Sequence, residues 1–153
     1  MNKYLHIITS LNIGGAETML FRLIKHRSDL LESTIVISLT KNGEIGKALE
    51  AMGVKVLSLE MNNWLSIFKT LLKLKKIIQN EKPSIIHTWM YHANVLGGIA
   101  SYLAKNKNII WSIRRSEYTR KESLSTFVVM KIGAIFSNII PKVIVHVAES
   151  GLK

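Results

Sequence analysis

Two glycines stand where an apolar run gives way to a helix-forming segment. In "HIITSLNIGGAETML", His6 to Leu20, Gly14 and Gly15 directly precede Ala16, Glu17 and Thr18. Glycine permits positive φ and lets a ligand approach the backbone closely. A helix starting near Gly15 would point free N–H groups and its positive dipole end outward, which suits a phosphate. A tight strand-to-helix turn with no ligand accounts for the same two residues. The segment is neither G-x-G-x-x-G nor a Walker A loop, so it licenses neither a dinucleotide site nor a P-loop.

Two other stretches carry usable chemistry. In "HTWMYHAN", His87 to Asn94, His92 falls past the end of an apolar run and near a helix start. An imidazole there could hydrogen-bond a sugar hydroxyl or a phosphate, or it could be an ordinary helix-start residue. His87 lies inside the run and reads as a packed core histidine. Trp89 and Tyr91 read as core or rim packing rather than a sugar-stacking platform. In "RRSEYTRKE", Arg114 to Glu122, the first two arginines suit bidentate binding of phosphate or carboxylate. Arg120 and Lys121 read as solvated partners of Glu117 and Glu122. Thr40 to Gly43 is explained by turn chemistry.

Other chemistries lack support. No C-x-x-C, H-E-x-x-H or G-x-S-x-G occurs, and no carboxylate pair stands out as an acid/base couple. The chain has 0 cysteines, which excludes disulfides and thiolate metal sites and fits a reducing cytoplasm. Its 153 residues make one domain, and 48% hydrophobic residues allow a sizeable core. The net charge of +11 favours anionic partners: nucleic acid, anionic lipid or phosphorylated small molecules. No RNA-binding signature or aromatic stacking array accompanies it, so nucleic acid is not expected.

The elements that must position these residues follow from six apolar runs: "YLHIIT", "STIVISL", "VKVLSL", "SIIHTW", "NIIWSI" and "KVIVHV". They lack polar alternation, as strands buried on both faces do. Helix-length segments separate them: Glu17 to Leu31, Gly46 to Met52, Trp64 to Asn80, Asn94 to Leu103 and Ser123 to Ile140. Strand alternating with helix predicts an α/β fold, a parallel sheet with helices on both faces and right-handed crossovers. The expected order is 3-2-1-4-5, with the sixth strand beyond strand 5. Ligands then bind past the carboxyl ends of the strands where the order reverses, and His92 faces Gly14 and Gly15 across that crevice.

Two segments bear on membranes. "FVVMKIGAIFSNIIPKVIVHV", Phe127 to Val147, is nearly membrane-length, but Lys131, Asn138, Pro141 and Lys142 interrupt it. It reads as a buried helix, a Pro turn and a strand. In "NNWLSIFKTLLKLKKIIQNEKP", Leu65, Phe68, Leu71, Leu72, Ile77 and Ile78 can form one apolar stripe with Lys69, Lys73, Lys75 and Lys76 beside it. Such a helix suits an anionic membrane surface. The same stripe is also needed to cover the sheet, and the lysines can simply be solvated.

"SLNIGGAETML", then "EKPSIIHTWMYHANVLGGIAS", then "IIWSIRRSE" resembles the N-terminal half of glycosyltransferase family 4, over essentially the whole chain. The resemblance implies a Rossmann-like acceptor-side domain over residues 1–153, the N-terminal half of a GT-B fold. It implies a second domain that binds a nucleotide-sugar, and sugar transfer with retention in the cleft between the two, usually without a metal. Gly14, Gly15, His92, Arg114 and Arg115 fall at positions that line that cleft, and Ser150 matches a recurring serine before the interdomain linker. The acceptor would be a saccharide or lipid-linked saccharide of surface polysaccharide biosynthesis, with the protein cytoplasmic or peripheral at the inner membrane face.

The family's donor-side glutamate pair, spaced E-x₇-E, is absent, and the chain stops just after a strand. The C-terminal donor domain is therefore expected to be missing, and the chain to be a truncated product or one part of a split enzyme. It is expected to hold no cofactor and to be inactive alone, whereas the complete enzyme would use a nucleotide-sugar donor. The alternative is a non-catalytic membrane-associated or interaction subunit of a split enzyme.

Overall fold

A computed structural model describes residues 2–114 and 124–147. The six apolar runs all form strands: β1 (Tyr4–Ile8), β2 (Thr34–Ser38), β3 (Lys55–Ser58), β4 (Ile85–Trp89), β5 (Ile109–Arg114) and β6 (Val143–Val147). They make one sheet in the order β3-β2-β1-β4-β5-β6, with every pairing parallel. The reversal between β1 and β4 falls where the runs and their intervening helices predict it. In register, Ile8 at the end of β1 pairs with both Ser38 of β2 and Trp89 of β4, so three strands end level at the switch point.

The helices are α1 (Gly15–His26), α2 (Glu44–Ala51), α3 (Ile67–Glu81), α4 (Tyr91–Leu103) and α5 (Leu124–Phe136). Their existence matches the sequence reading, and their ends differ by a few residues. The segment expected to be one helix to Leu31 is α1 followed by a 3-10 turn, Ser28–Ser33. Arg27 divides them, with φ −105° and ψ 52°, and its N–H donates back to both Leu23 and Ile24 carbonyls. At the other end α4 begins at Tyr91, three residues earlier than expected, because Met90 supplies its first turn.

Two cores sandwich the sheet. On one side α1 and α2 bury Ala16, Leu20, Ile24 and Leu49 against Ile8, Val36 and Trp89. On the other, α3 and α4 bury Leu74, Ile78, Ala93, Leu96 and Ala100 against Leu5, Ile7, Ile35, Ile37 and Ile86. A third cluster joins Phe136 of α5 and Ile99 of α4 to Ile109 and Trp111. Helix α4 lies unusually close to the sheet through Gly97 and Gly98. A Cβ on Gly97 would sit 2.8 Å from the Thr88 methyl, and one on Gly98 would sit 2.9 Å from the Trp111 ring. That closeness brings the first turn of α4 directly over the ends of β4 and β5.

Candidate functional site

The loop after β1 is built against the loop after β2. Leu11 is fully buried, and its carbonyl accepts the Ile45 N–H at 3.0 Å. The Thr9 carbonyl accepts both the Thr40 N–H at 3.1 Å and the Thr40 hydroxyl at 3.0 Å. Gly43 is required here, since a Cβ would fall 2.4 Å from the Leu11 carbonyl and 2.6 Å from the Asn12 nitrogen. Turn chemistry accounted for Gly43 in the sequence. The structure adds a reason, which is backbone-to-backbone contact between two loops.

Gly14 caps α1 and Gly15 opens it. The backbone at Gly14 is extended, with φ −166° and ψ 174°, so positive φ is not why glycine stands there. The group that lies against it is the flexible end of Glu17. Its carboxylate turns back over the start of the helix, and a Cβ on Gly14 would collide with it. Glu17 is buried to 7% exposure and accepts the Ser10 hydroxyl at 3.1 Å. The helix's own carboxylate therefore occupies the positive end of α1, where a negative charge is favoured. An acceptor-only carboxylate on this rim is matched to hydroxyl donors.

The start of α4 is made differently. Met90 has φ 73° and ψ 159°, a region that is nearly exclusive to glycine. Neighbouring polar groups hold it there. Its N–H donates to the Ser112 carbonyl at 3.3 Å, and its carbonyl accepts the Asn94 N–H at 2.8 Å. Asn94 is buried. Its side-chain oxygen accepts the Thr88 hydroxyl at 2.7 Å, and its side-chain nitrogen donates to the Ser112 carbonyl at 3.2 Å. Strain of this kind costs of order 1–3 kcal/mol and persists only where surroundings over-determine it, which is common at ligand sites.

His92 is the second residue of α4 and is half-buried. Burial pushes its imidazole below the ordinary histidine pKa, so it is neutral near pH 7 with one donor and one acceptor nitrogen. Since β1 and β4 are neighbours, Gly14, Gly15, Glu17 and His92 all sit at the carboxyl ends of adjacent strands. Arg114 ends β5 beside Val147 of β6. Arg115, the charged run after it through Glu122, and Ser150 lie outside the described residues.

A polar cluster supports the crevice from below. His6 on β1 and His87 on β4 are register partners, with ring centroids 5.4 Å apart. His87 Nε2 is 2.7 Å from the Ser112 hydroxyl, and its ring stacks on Trp89 at 4.4 Å. The Trp89 Nε1–H donates to His6 Nδ1 at 3.3 Å. Trp89 is thus spent on packing. Burial, and to a lesser extent His87, lowers His6 to about 3, while burial lowers His87 to about 4. Both are neutral props under the site.

A hollow of about 440 Å³ lies at the opposite end of the molecule, where the chain enters β4 and β5, between Ile78, Lys82, Pro83 and the Ala104–Asn108 turn. Two of its lining residues, Lys82 and Lys105, have positive φ of 47° and 60°, but both stand in turns just past helix ends, and no carboxylate lines it. The crevice, where the buried Glu17 and the extended positive-φ backbone of Met90 lie on adjacent strand ends, is the candidate site.

The model of glycosyltransferase family 4 matches residues 13–146, from the loop before α1 to the end of β6. The chain belongs to glycosyltransferase family 4. A Staphylococcus aureus capsular polysaccharide biosynthesis glycosyltransferase, CapH, is 26% identical over 122 residues, which is 80% of this chain and 33% of CapH. Anabaena HepE, solved with UDP, superposes with a TM-score of 0.72 at 18% identity, over 93% of this chain and 36% of HepE. Acinetobacter baumannii MurG superposes with a TM-score of 0.63 at 12% identity, over 99% of this chain and 43% of MurG. These structures share the fold, so this family 4 chain is a glycosyltransferase-like domain of the GT-B type. It spans about a third of the length of CapH.

Two crevice residues carried no role in the sequence reading. Glu17 had a usable signal, an acid in the first turn of a helix that opens on glycine. Met90 had none, because methionine gives no hint of positive φ.

Proposed function

We propose that this domain is the acceptor-binding half of a retaining glycosyltransferase. The complete enzyme moves a sugar from a nucleotide-sugar to a saccharide or lipid-linked acceptor in surface polysaccharide biosynthesis, at the inner membrane face. The observation that carries this reading is the convergence of two unlike helix starts at the β1/β4 switch point, one bearing a buried carboxylate and one a strained backbone. Glu17 accepts acceptor hydroxyls, the Gly14–Gly15 backbone lets the sugar approach, and neutral His92 hydrogen-bonds it. Arg114 and Arg115 take an anionic group of the acceptor. The donor nucleotide belongs to a second domain. The name of CapH supports the polysaccharide setting, and the UDP of the HepE structure supports a nucleotide donor.

The test is transfer from a radiolabelled UDP-sugar panel to cell-derived lipid-linked saccharide, with the chain alone and with the chain fused to a family 4 donor domain. The reading expects transfer only from the fusion, and at least about a tenfold loss of kcat/KM in His92→Ala. Fusion activity indifferent to His92→Ala, Glu17→Gln and Arg114→Ala together would contradict it. A non-catalytic subunit is the second reading, favoured by the exposed apolar stripe on α3 described below. It expects the chain to recruit a separate transferase to membranes without its crevice residues affecting turnover.

A further inference from the structure

Helix α3 has two apolar faces where the sequence suggested one. The first covers the sheet: Thr70, Leu74 and Ile78 are buried, with Ile67, Leu71 and Ile77 packed beside them. The second faces away. Leu65, in the 3-10 turn Trp64–Ser66 that leads into the helix, is 83% exposed, Phe68 is 78% exposed and Leu72 is 64% exposed. Their spacing of three and four residues aligns them along one ridge. The sheet therefore does not use these three side chains, and the demand for a covering face no longer explains them.

Charge says what they face. No acidic residue occurs between Glu60 and Glu81, while Lys69, Lys73, Lys75 and Lys76 all fall in that interval. Lys69, Lys73 and Lys76 are exposed. Glu81 is already engaged, by Lys3 at 2.7 Å and Lys55 at 2.6 Å. The apolar ridge occupies the first half of the helix. Further along, the same outward face carries Lys76 and Gln79. Because α3 begins at the carboxyl ends of the strands, the ridge sits at the crevice end of the molecule.

We propose that Leu65, Phe68 and Leu72 insert into an anionic membrane surface while Lys69, Lys73 and Lys76 contact its lipid phosphates. Apolar side chains at the boundary combined with basic side chains at headgroup level are the two terms that hold a helix in an interface. Nucleic acid fits less well, because its phosphate backbone offers nothing to an exposed Phe and two Leu. The outer face of α5 makes the contrast. Leu124 and Ile135 are exposed there too, but the α5 cation is Lys131, whose ammonium sits 4.8 Å from the centre of the Phe127 ring. No helix among the described residues is long and apolar enough to cross a membrane, so the contact is lateral. The ridge gives the membrane placement proposed above a specific surface. It rests on that reading only for which membrane is met.

The experiment is sedimentation of the 153-residue chain with vesicles of phosphatidylcholine alone or with about a third phosphatidylglycerol. The mixed vesicles should bind it, and phosphatidylcholine alone should bind at least about tenfold less. Leu65→Ser/Phe68→Ser/Leu72→Ser should cut partitioning into the mixed vesicles about tenfold or more, with circular dichroism unchanged because the three side chains are exposed. Lys69→Glu/Lys73→Glu/Lys76→Glu should do the same and remove the lipid selectivity. Equal binding by wild type and both variants, or no binding by wild type, overturns the proposal. So does a concentration-dependent dimer abolished by the serine variant, which would make the ridge an interface between copies. Stoichiometric, salt-sensitive binding to duplex DNA in place of vesicles would also overturn it. Sugar transfer is not measured, so failure here leaves the transferase reading standing, and failure of transfer leaves this surface standing.

Discussion

The starts of α1 and α4 lie side by side on adjacent strands and solve the same problem in opposite ways. At α1 the backbone is relaxed, glycine makes room, and the helix fills its own positive end with Glu17. At α4 the backbone is strained at Met90, and a buried Asn94–Thr88–Ser112 network holds it in place. The glycines point to α1 as the open anion site. The structure makes that end a carboxylate end and moves the strained, backbone-controlled end to a methionine. A conspicuous glycine therefore marks a close approach here, and the approaching group is a side chain of the same helix.

The largest expected effect removes the floor under both ends. His6 and His87 are neutral when folded, with pKa values lowered from 6.5 to about 3 and about 4. Below pH 6.5 the unfolded chain binds protons that the folded chain refuses, so stability falls as pH drops from about 6.5 towards 4. The slope is at most roughly 1.4 kcal/mol per pH unit for each histidine. Urea midpoints measured across that range should fall steeply, and a His87→Gln variant should flatten the dependence. A flat wild-type profile would show that the pair is not buried neutral.

The next effect separates the two ends. Asn94→Ala keeps both backbone bonds of Met90 but removes the side chain that braces Thr88 and Ser112 beneath it, leaving the buried Thr88 hydroxyl only a long bond to the Ile110 carbonyl. It should cost about 1–3 kcal/mol in urea unfolding. Met90→Gly should instead stabilise by about 1 kcal/mol, as the relief of strain exceeds the added chain entropy of glycine. Thermal unfolding will show whether the midpoint rises. If it does not, Met90 is unstrained and the contrast between the helix starts weakens.

The smallest effect belongs to α1. Gly14→Ala should cost under about 1 kcal/mol, because the flexible end of Glu17 can turn aside. The cost should shrink when Glu17→Ala is added, since the two changes share one contact. Strict additivity in that double-mutant cycle would mean that Gly14 is there for another reason.

Much of the fold was legible because parallel strands buried on both faces cannot hide. "TIVIS" of β2 is buried at all five positions, and its run reads as continuous apolar sequence. The strand order followed from helices alternating with such runs. Helix ends were less legible, since Arg27 and Met90 are set by backbone geometry that propensity does not encode. The stripe on α3 was visible but taken as a single face. Only packing separates Leu71 and Leu74, which touch the sheet, from Phe68 and Leu72, which do not. At the candidate site, Gly14, Gly15 and His92 were named from position after a strand; Glu17 was readable only as an acid in a first helical turn, and Met90 required coordinates.

The account's central claim is that acceptor binds between the starts of α1 and α4. The direct measurement is an amide NMR titration of the 153-residue chain with farnesyl-diphosphate-linked N-acetylglucosamine, in lipid-free buffer below its micelle concentration. The account predicts saturable shifts at Gly14, Gly15, Glu17, Tyr91 and His92, weakened in Glu17→Gln. Shifts confined to Lys82, Lys105 and their neighbours at the amino ends of β4 and β5, with the crevice silent, would contradict it.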